Sequence, residues 1–79
     1  MEIDVHNMLF KTAKDYILES IDKCYRNNIG VLKVIHGYNN GTKIKDWLKG
    51  ANLGDKVVSM MADLLNSGVS IIYVKTKLK

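Results

Sequence analysis

The run VLKVIH, residues 31–36, constrains the fold of this chain more than any other stretch. It is rich in β-branched residues and too short for a helix, so it reads as a buried strand. Segments of helical period flank it. Upstream, in FKTAKDYILESIDKCYRNN, Phe10, Ala13, Ile17, Ile21 and Cys24 follow helical spacing, and Leu18 and Tyr25 widen the stripe. Glu19 and Lys23 make a favourable i,i+4 pair. Asn27 and Asn28 suit the helix end, with Gly30 beyond. Downstream, TKIKDWLKG gives a short helix with Ile44, Trp47 and Leu48 on one side. Asn40 or Thr42 would cap its start and Gly50 would stop it.

The ends of the chain fill in the order. EIDVH alternates, with Ile3 and Val5 on one face and Asp4 and His6 on the other, as in a short strand. DKVVSMMADLLNSG is ambiguous: Val57, Met61, Leu64 and Leu65 fit a helical period, whereas Val57 and Val58 favour a strand. SGVSIIYVKTK is a final strand after a turn at Asn66, Ser67 and Gly68. Pattern alone gives β-α-β-α-(β or α)-β, which implies crossover units and a mainly parallel sheet.

With 79 residues the expected organisation is one small domain over 1–79. The N-terminus MEIDVH has neither the basic start nor the apolar run of a signal peptide, and no apolar stretch reaches the ~20 residues needed to span a membrane. Cys24 is alone, so it makes no internal disulfide and belongs to no cysteine pair of metal-binding type. On the apolar helix face it is expected to be a buried thiol, and a reducing cytoplasm fits. Twelve Lys and Arg against eight Asp and Glu leave a net charge of +4. That excess permits nucleic-acid binding and becomes informative only beside a site.

Such a site has a natural place. In parallel-sheet folds, sites gather at the C-terminal ends of strands. His6 ends the first strand and His36 the second, so neighbouring strands would bring the imidazoles together. The loop after His36 leads into a helix start, where backbone N–H groups and the helix dipole suit a phosphate.

These pieces resemble the Smr (small MutS-related) domain. Asp4, Val5, His6 and Asn7 stand where that family carries Asp-Leu-His-Gly. His36, Gly37, Tyr38, Asn39, Asn40 and Gly41 match its His-Gly-x-Gly-x-Gly motif, and Trp47 and Leu48 its Trp-Leu pair. Two family glycines are replaced by Asn7 and Asn39, and asparagine is the non-glycine residue that best tolerates positive φ. The resemblance implies a strand near residues 57–62. It implies a two-layer α/β sandwich of order β-α-β-α-β-β, with two helices on a mixed four-stranded sheet, similar to the C-terminal domain of translation initiation factor three. It also implies nucleic-acid binding and, as in several family members, cleavage of DNA or RNA.

Candidate roles follow. Asp4 would orient His6, and His6 would move a proton from water or an RNA 2′-hydroxyl; the plainer alternative is a satisfied polar pair at a strand end. His36 is either a phosphate-binding imidazolium, a second acid–base group, or a packed histidine that bonds the loop. Gly37, Asn39, Asn40 and Gly41 would shape a phosphate cradle, and Tyr38 either stacks on a base or is an ordinary exposed tyrosine. Lys43 and Lys45 could add charge to the cradle, as could Lys33, Lys11 and Lys14. No structural metal is expected; a catalytic Mg²⁺ or Mn²⁺ ion stays open. The expected partner is DNA or RNA, with no membrane, and the chain a monomer or weak dimer. The competing readings are a binding-only module and a small protein-interaction domain using the open sheet face or edge strand.

Overall fold

The structure, a computed structural model, describes residues 1–37 and 41–77, with the backbone alone at 41 and 42. Its elements are β1 (Glu2–Asp4), α1 (Phe10–Arg26), β2 (Val31–Ile35), α2 (Gly41–Gly50), β3 (Val57–Ala62) and β4 (Val69–Val74). The strands form one sheet in the order β1-β2-β4-β3. β1 pairs parallel with β2, Ile3 opposite Val34, across the α1 crossover. β4 runs antiparallel to both its neighbours, with Leu32 opposite Ile72 on one side and Met60 opposite Ile72 on the other. The mixed sheet implied by the resemblance is present. The mainly parallel sheet expected from alternation alone is corrected: the β3–β4 hairpin returns the last strand between β2 and β3, so two of the three pairings are antiparallel.

Both helices lie on one face of this sheet. α1 contributes Ala13, Ile17, Ile21 and Cys24 to the core, and α2 contributes Ile44 and Leu48, with Trp47 half-buried beside them. Opposite them the sheet presents Ile3, Leu32, Val34, Ile72 and Val74. Full burial of each such side chain stabilises by about 1.5–3 kcal/mol, so this layer contact carries the fold. The Cys24 thiol lies inside it, and burial raises its pKa.

Several local expectations are revised. Leu18 and Phe10 are exposed and off the core, whereas Tyr25 packs against it as expected; Ser20 is buried on the same stripe, its Oγ donating to the Tyr16 carbonyl. The described ion pairs along α1 are Lys11–Asp15 and Arg26–Asp22 rather than Glu19–Lys23. Asn27 caps α1, and Asn28 takes the left-handed conformation, φ 56°, so the asparagine and not Gly30 makes the exit turn. The ambiguous segment is strand β3; Leu64 and Leu65 lie beyond it on the turn, outside any helix.

Candidate functional site

The parallel β1–β2 pair carries two histidines to one sheet edge. β1 stops at Asp4, but the Val5 N–H still bonds the Ile35 carbonyl at 2.9 Å, which holds the chain in line as far as His6. The period-two alternation then puts Asp4 and His6 on the same side. Asp4 Oδ1 accepts from both the His6 backbone N–H, at 3.0 Å, and His6 Nδ1. A carboxylate only accepts, so Nδ1 carries a proton, and Nε2 is the nitrogen left to exchange one. Hydrogen bonding from the imidazole, then from the backbone N–H, holds the Asp4 carboxyl below its ordinary pKa. Both side chains are about half exposed, 47% for His6 and 50% for Asp4, so the pair lies open to solvent.

His36 is in a different situation. It is 1% exposed at the end of β2. Its Nδ1 lies 3.1 Å from the Gly37 carbonyl, and its Nε2 lies 2.9 Å from Ser70 Oγ on β4. A carbonyl only accepts, so Nδ1–H donates to it and the serine hydroxyl donates to Nε2. Both ring nitrogens are thus engaged within the protein. Burial pushes the His36 pKa down, and the nearby Lys45 charge adds to that; the Gly37 carbonyl opposes it. The neutral ring is favoured, which disfavours an imidazolium clamp on phosphate.

Gly37 connects the two histidines. Its φ is +82°, and a Cβ placed on it would stand 3.2 Å from His6 Cβ. Only glycine lets the loop pass so close while turning left-handed. Gly68 meets Gly37 from β4: its carbonyl accepts from the His36 and Gly37 N–H groups at 2.9 and 3.0 Å. Beside this stitched edge lies a cleft of about 200 Å³, lined by Val5, His6, Met8, Leu9, Phe10, His36, Lys43 and Ile44. Sites that enclose small molecules typically run to ~300–1,000 Å³. A shallow cleft with one lysine and one solvent-facing imidazole suits a phosphate on a longer polymer better than an engulfed ligand.

The cleft brings Asp4, His6, Lys43 and, behind them, His36 and Gly37 to one place. Lys45 is half-buried on α2, its charge felt at His36. Gly41 opens α2. Tyr38, Asn39 and Asn40 lie outside the described residues. Among the other candidate cations, Lys11 pairs with Asp15 at 3.1 Å, Lys14 Nζ sits 4.6 Å from the centre of the Phe10 ring, and Lys33 lies mid-strand on β2. Among the described residues no group of three or more His, Cys, Asp or Glu stands close enough to hold a metal ion, and no helix is long and apolar enough to cross a membrane. Sequence reasoning missed Ser70 and Gly68. Ser70 had a signal: it is a polar residue in the inward register of VSIIYV, where Ile72 and Val74 follow.

A two-layer sandwich with an Asp–His pair, a glycine turn and a lysine at one sheet edge defines a small α/β domain with an open cleft beside its histidines. The family comparison is specific: the Smr domain model matches residues 3–75, and the chain belongs to that family, generally one of nucleic-acid-binding, nuclease-like domains. Among solved structures it is similar to the Smr domain of Thermus thermophilus MutS2, with a TM-score of 0.79 at 16% identity, covering 94% of this chain and 96% of that one. At that identity the likeness is one of fold. No curated protein matches the chain.

Proposed function

We propose that this chain is a nucleic-acid-binding Smr domain that cleaves phosphodiester bonds, with His6 as general base. The observation that carries this reading is the Asp4–His6 pair: Nδ1 is held by the carboxylate, the half-exposed imidazole keeps Nε2 for chemistry, and the ring shares its cleft with Lys43. From there Nε2 takes a proton from a water or from an RNA 2′-hydroxyl as that oxygen attacks phosphorus and the P–O bond to the leaving sugar oxygen breaks; Asp4 stabilises the imidazolium that forms, and the leaving oxygen takes its proton from solvent. Lys43, with the N-terminal end of α2, balances the growing negative charge on the phosphoryl oxygens. His36 holds the loop in this reading and touches no reacting atom. If a Mg²⁺ or Mn²⁺ ion takes part, Asp4 and the substrate phosphate are the available ligands.

The family match over 3–75 supports reading the chain as a nucleic-acid-binding domain; that it forms one domain over 1–79 and acts on DNA or RNA in a reducing cytoplasm, as a monomer or weak dimer, is part of the same proposal. The test is incubation of labelled RNA and DNA with the protein, with and without Mg²⁺ or Mn²⁺, for wild type and His6→Ala. Cleavage by wild type that is lost in the variant is expected. Binding without any product would leave a binding-only module, and no binding at all would point to a protein-interaction domain.

A further inference from the structure

Leu64 and Leu65 are consecutive leucines left 89% and 97% exposed on the turn between β3 and β4. They add nothing to the core, so each forgoes the burial that normally holds a leucine in a fold. Yet the turn beneath them is firmly tied. The Leu65 N–H donates to Asp63 Oδ1 at 2.9 Å, the Gly68 N–H to Asn66 Oδ1 at 3.0 Å, and the Val69 N–H to the Asn66 carbonyl at 3.1 Å. The Asp63 N–H closes the hairpin on the Val69 carbonyl. Two bulky apolar side chains are therefore displayed from a fixed platform.

That platform is continuous with the candidate site. Gly68, at its base, is the residue whose carbonyl holds the His36 and Gly37 N–H groups. Along this edge the strand ends follow the sheet order: His6 beyond β1, Gly37 beyond β2, Gly68 before β4, Asp63 beyond β3. At about 4.8 Å per strand, the turn lies roughly 10–15 Å from His6. Stacked nucleotides rise about 3.4 Å each, so that distance is three or four nucleotides.

We propose that the Leu64–Leu65 turn is an apolar wedge that enters the base stack of the nucleic acid whose phosphate sits at His6. This rests on the nucleic-acid reading above and specifies its substrate. Leucine is among the side chains that open base steps, and a wedge needs the rigid presentation seen here. Asp63, the acidic residue of the turn, has an oxygen committed to the Leu65 N–H, and the cleft on the other side of Gly37 carries Lys43. The leucine side chains have no hydrogen-bonding group, so the wedge selects by ease of unstacking and not by base identity. Bulged or unpaired sites are favoured over continuous duplex.

The test uses duplexes with 2-aminopurine beside a bulge, and fully paired controls, made as both DNA and RNA. Wild type is expected to bind the bulged form more tightly and to raise its fluorescence as the base unstacks. Leu64→Ala/Leu65→Ala removes two exposed side chains, so it should melt as wild type does. It should lose about tenfold or more in affinity for the bulged form, lose the fluorescence rise, and keep an unchanged dependence on salt, because no phosphate contact is removed. A double variant with wild-type affinity and fluorescence overturns the wedge and turns the leucines towards a protein partner. Affinity loss without any fluorescence rise in wild type also overturns it, since the leucines then touch a groove without opening the stack. If wild type binds none of these nucleic acids, the wedge falls together with the functional reading; if it binds and only the leucine results fail, the wedge falls alone.

Discussion

Two histidines at the same sheet edge have opposite surroundings, and this divides their work. His6 has one nitrogen fixed by Asp4 and one free; His36 has both engaged, by Gly37 and Ser70. His6→Ala should lower cleavage by about 10²-fold or more while leaving binding largely intact. Asp4→Asn should also cut the rate, because an amide can offer its N–H side to the ring and no longer stabilises imidazolium. Single-turnover rates together with affinities check both. A His6→Ala variant that cleaves at the wild-type rate removes His6 from the mechanism. The sequence made the Asp4–His6 pair legible, because strand alternation alone places i and i+2 on one side. It left three roles open for His36, since the partner that decides among them, Ser70, lies 34 positions away in the chain.

At the level of elements, the site depends on three chain segments meeting edge to edge. Gly37 and Gly68 allow that approach: a Cβ on Gly68 would stand 3.3 Å from both the Cα and the carbonyl carbon of Gly37. Gly37→Ala forces a side chain into φ +82° and against His6, so a cost of about 1–3 kcal/mol is expected, with a drop in cleavage beyond that of the folded fraction. Gly68→Ala should push the β3–β4 turn off the histidine loop and weaken activity with a smaller loss of stability. Urea unfolding paired with rates measured where each variant is fully folded separates the two effects. Wild-type behaviour of Gly37→Ala would show that the loop tolerates a Cβ. Elements with one strong period, α1 and β2, were readable from the sequence. β3 was not readable from its pattern, because VVSMMADLL carries strand propensity and helical spacing at once; the family resemblance places a strand near 57–62, and pairing with β4 is what decides it. The inserted position of β4 is likewise a tertiary choice that strand patterns do not encode.

At the scale of the whole molecule, charge and pH both act through the edge that holds the site. The net charge of +4 is spread, and several cations are already engaged: Lys11 with Asp15, Arg26 and Lys56 with Asp22. Lys43 in the cleft and Lys45 beside it are therefore expected to supply phosphate contacts, and Lys43→Ala/Lys45→Ala should flatten the plot of log affinity against log salt by roughly one to two phosphate equivalents. Equal slopes would place the contacts elsewhere. Stability should in turn follow His36. Its folded pKa lies below the ordinary 6.5, so as pH falls the unfolded chain takes up a proton that the folded chain resists. Stability is then fully present above about pH 6.5 and declines as pH drops towards the folded pKa, because the unfolded state binds more protons across that window. The lowered Asp4 pKa acts in a separate window, below its ordinary value of 3.8. Urea midpoints are best measured from pH 7.5 downwards in a His6→Ala background, so that one imidazole remains. The midpoint should fall below about pH 6.5 with His36 present. With His36→Gln added, stability should be lower at pH 7.5 but flat across the same window. An equally steep decline in that second variant would assign the acid sensitivity to another group.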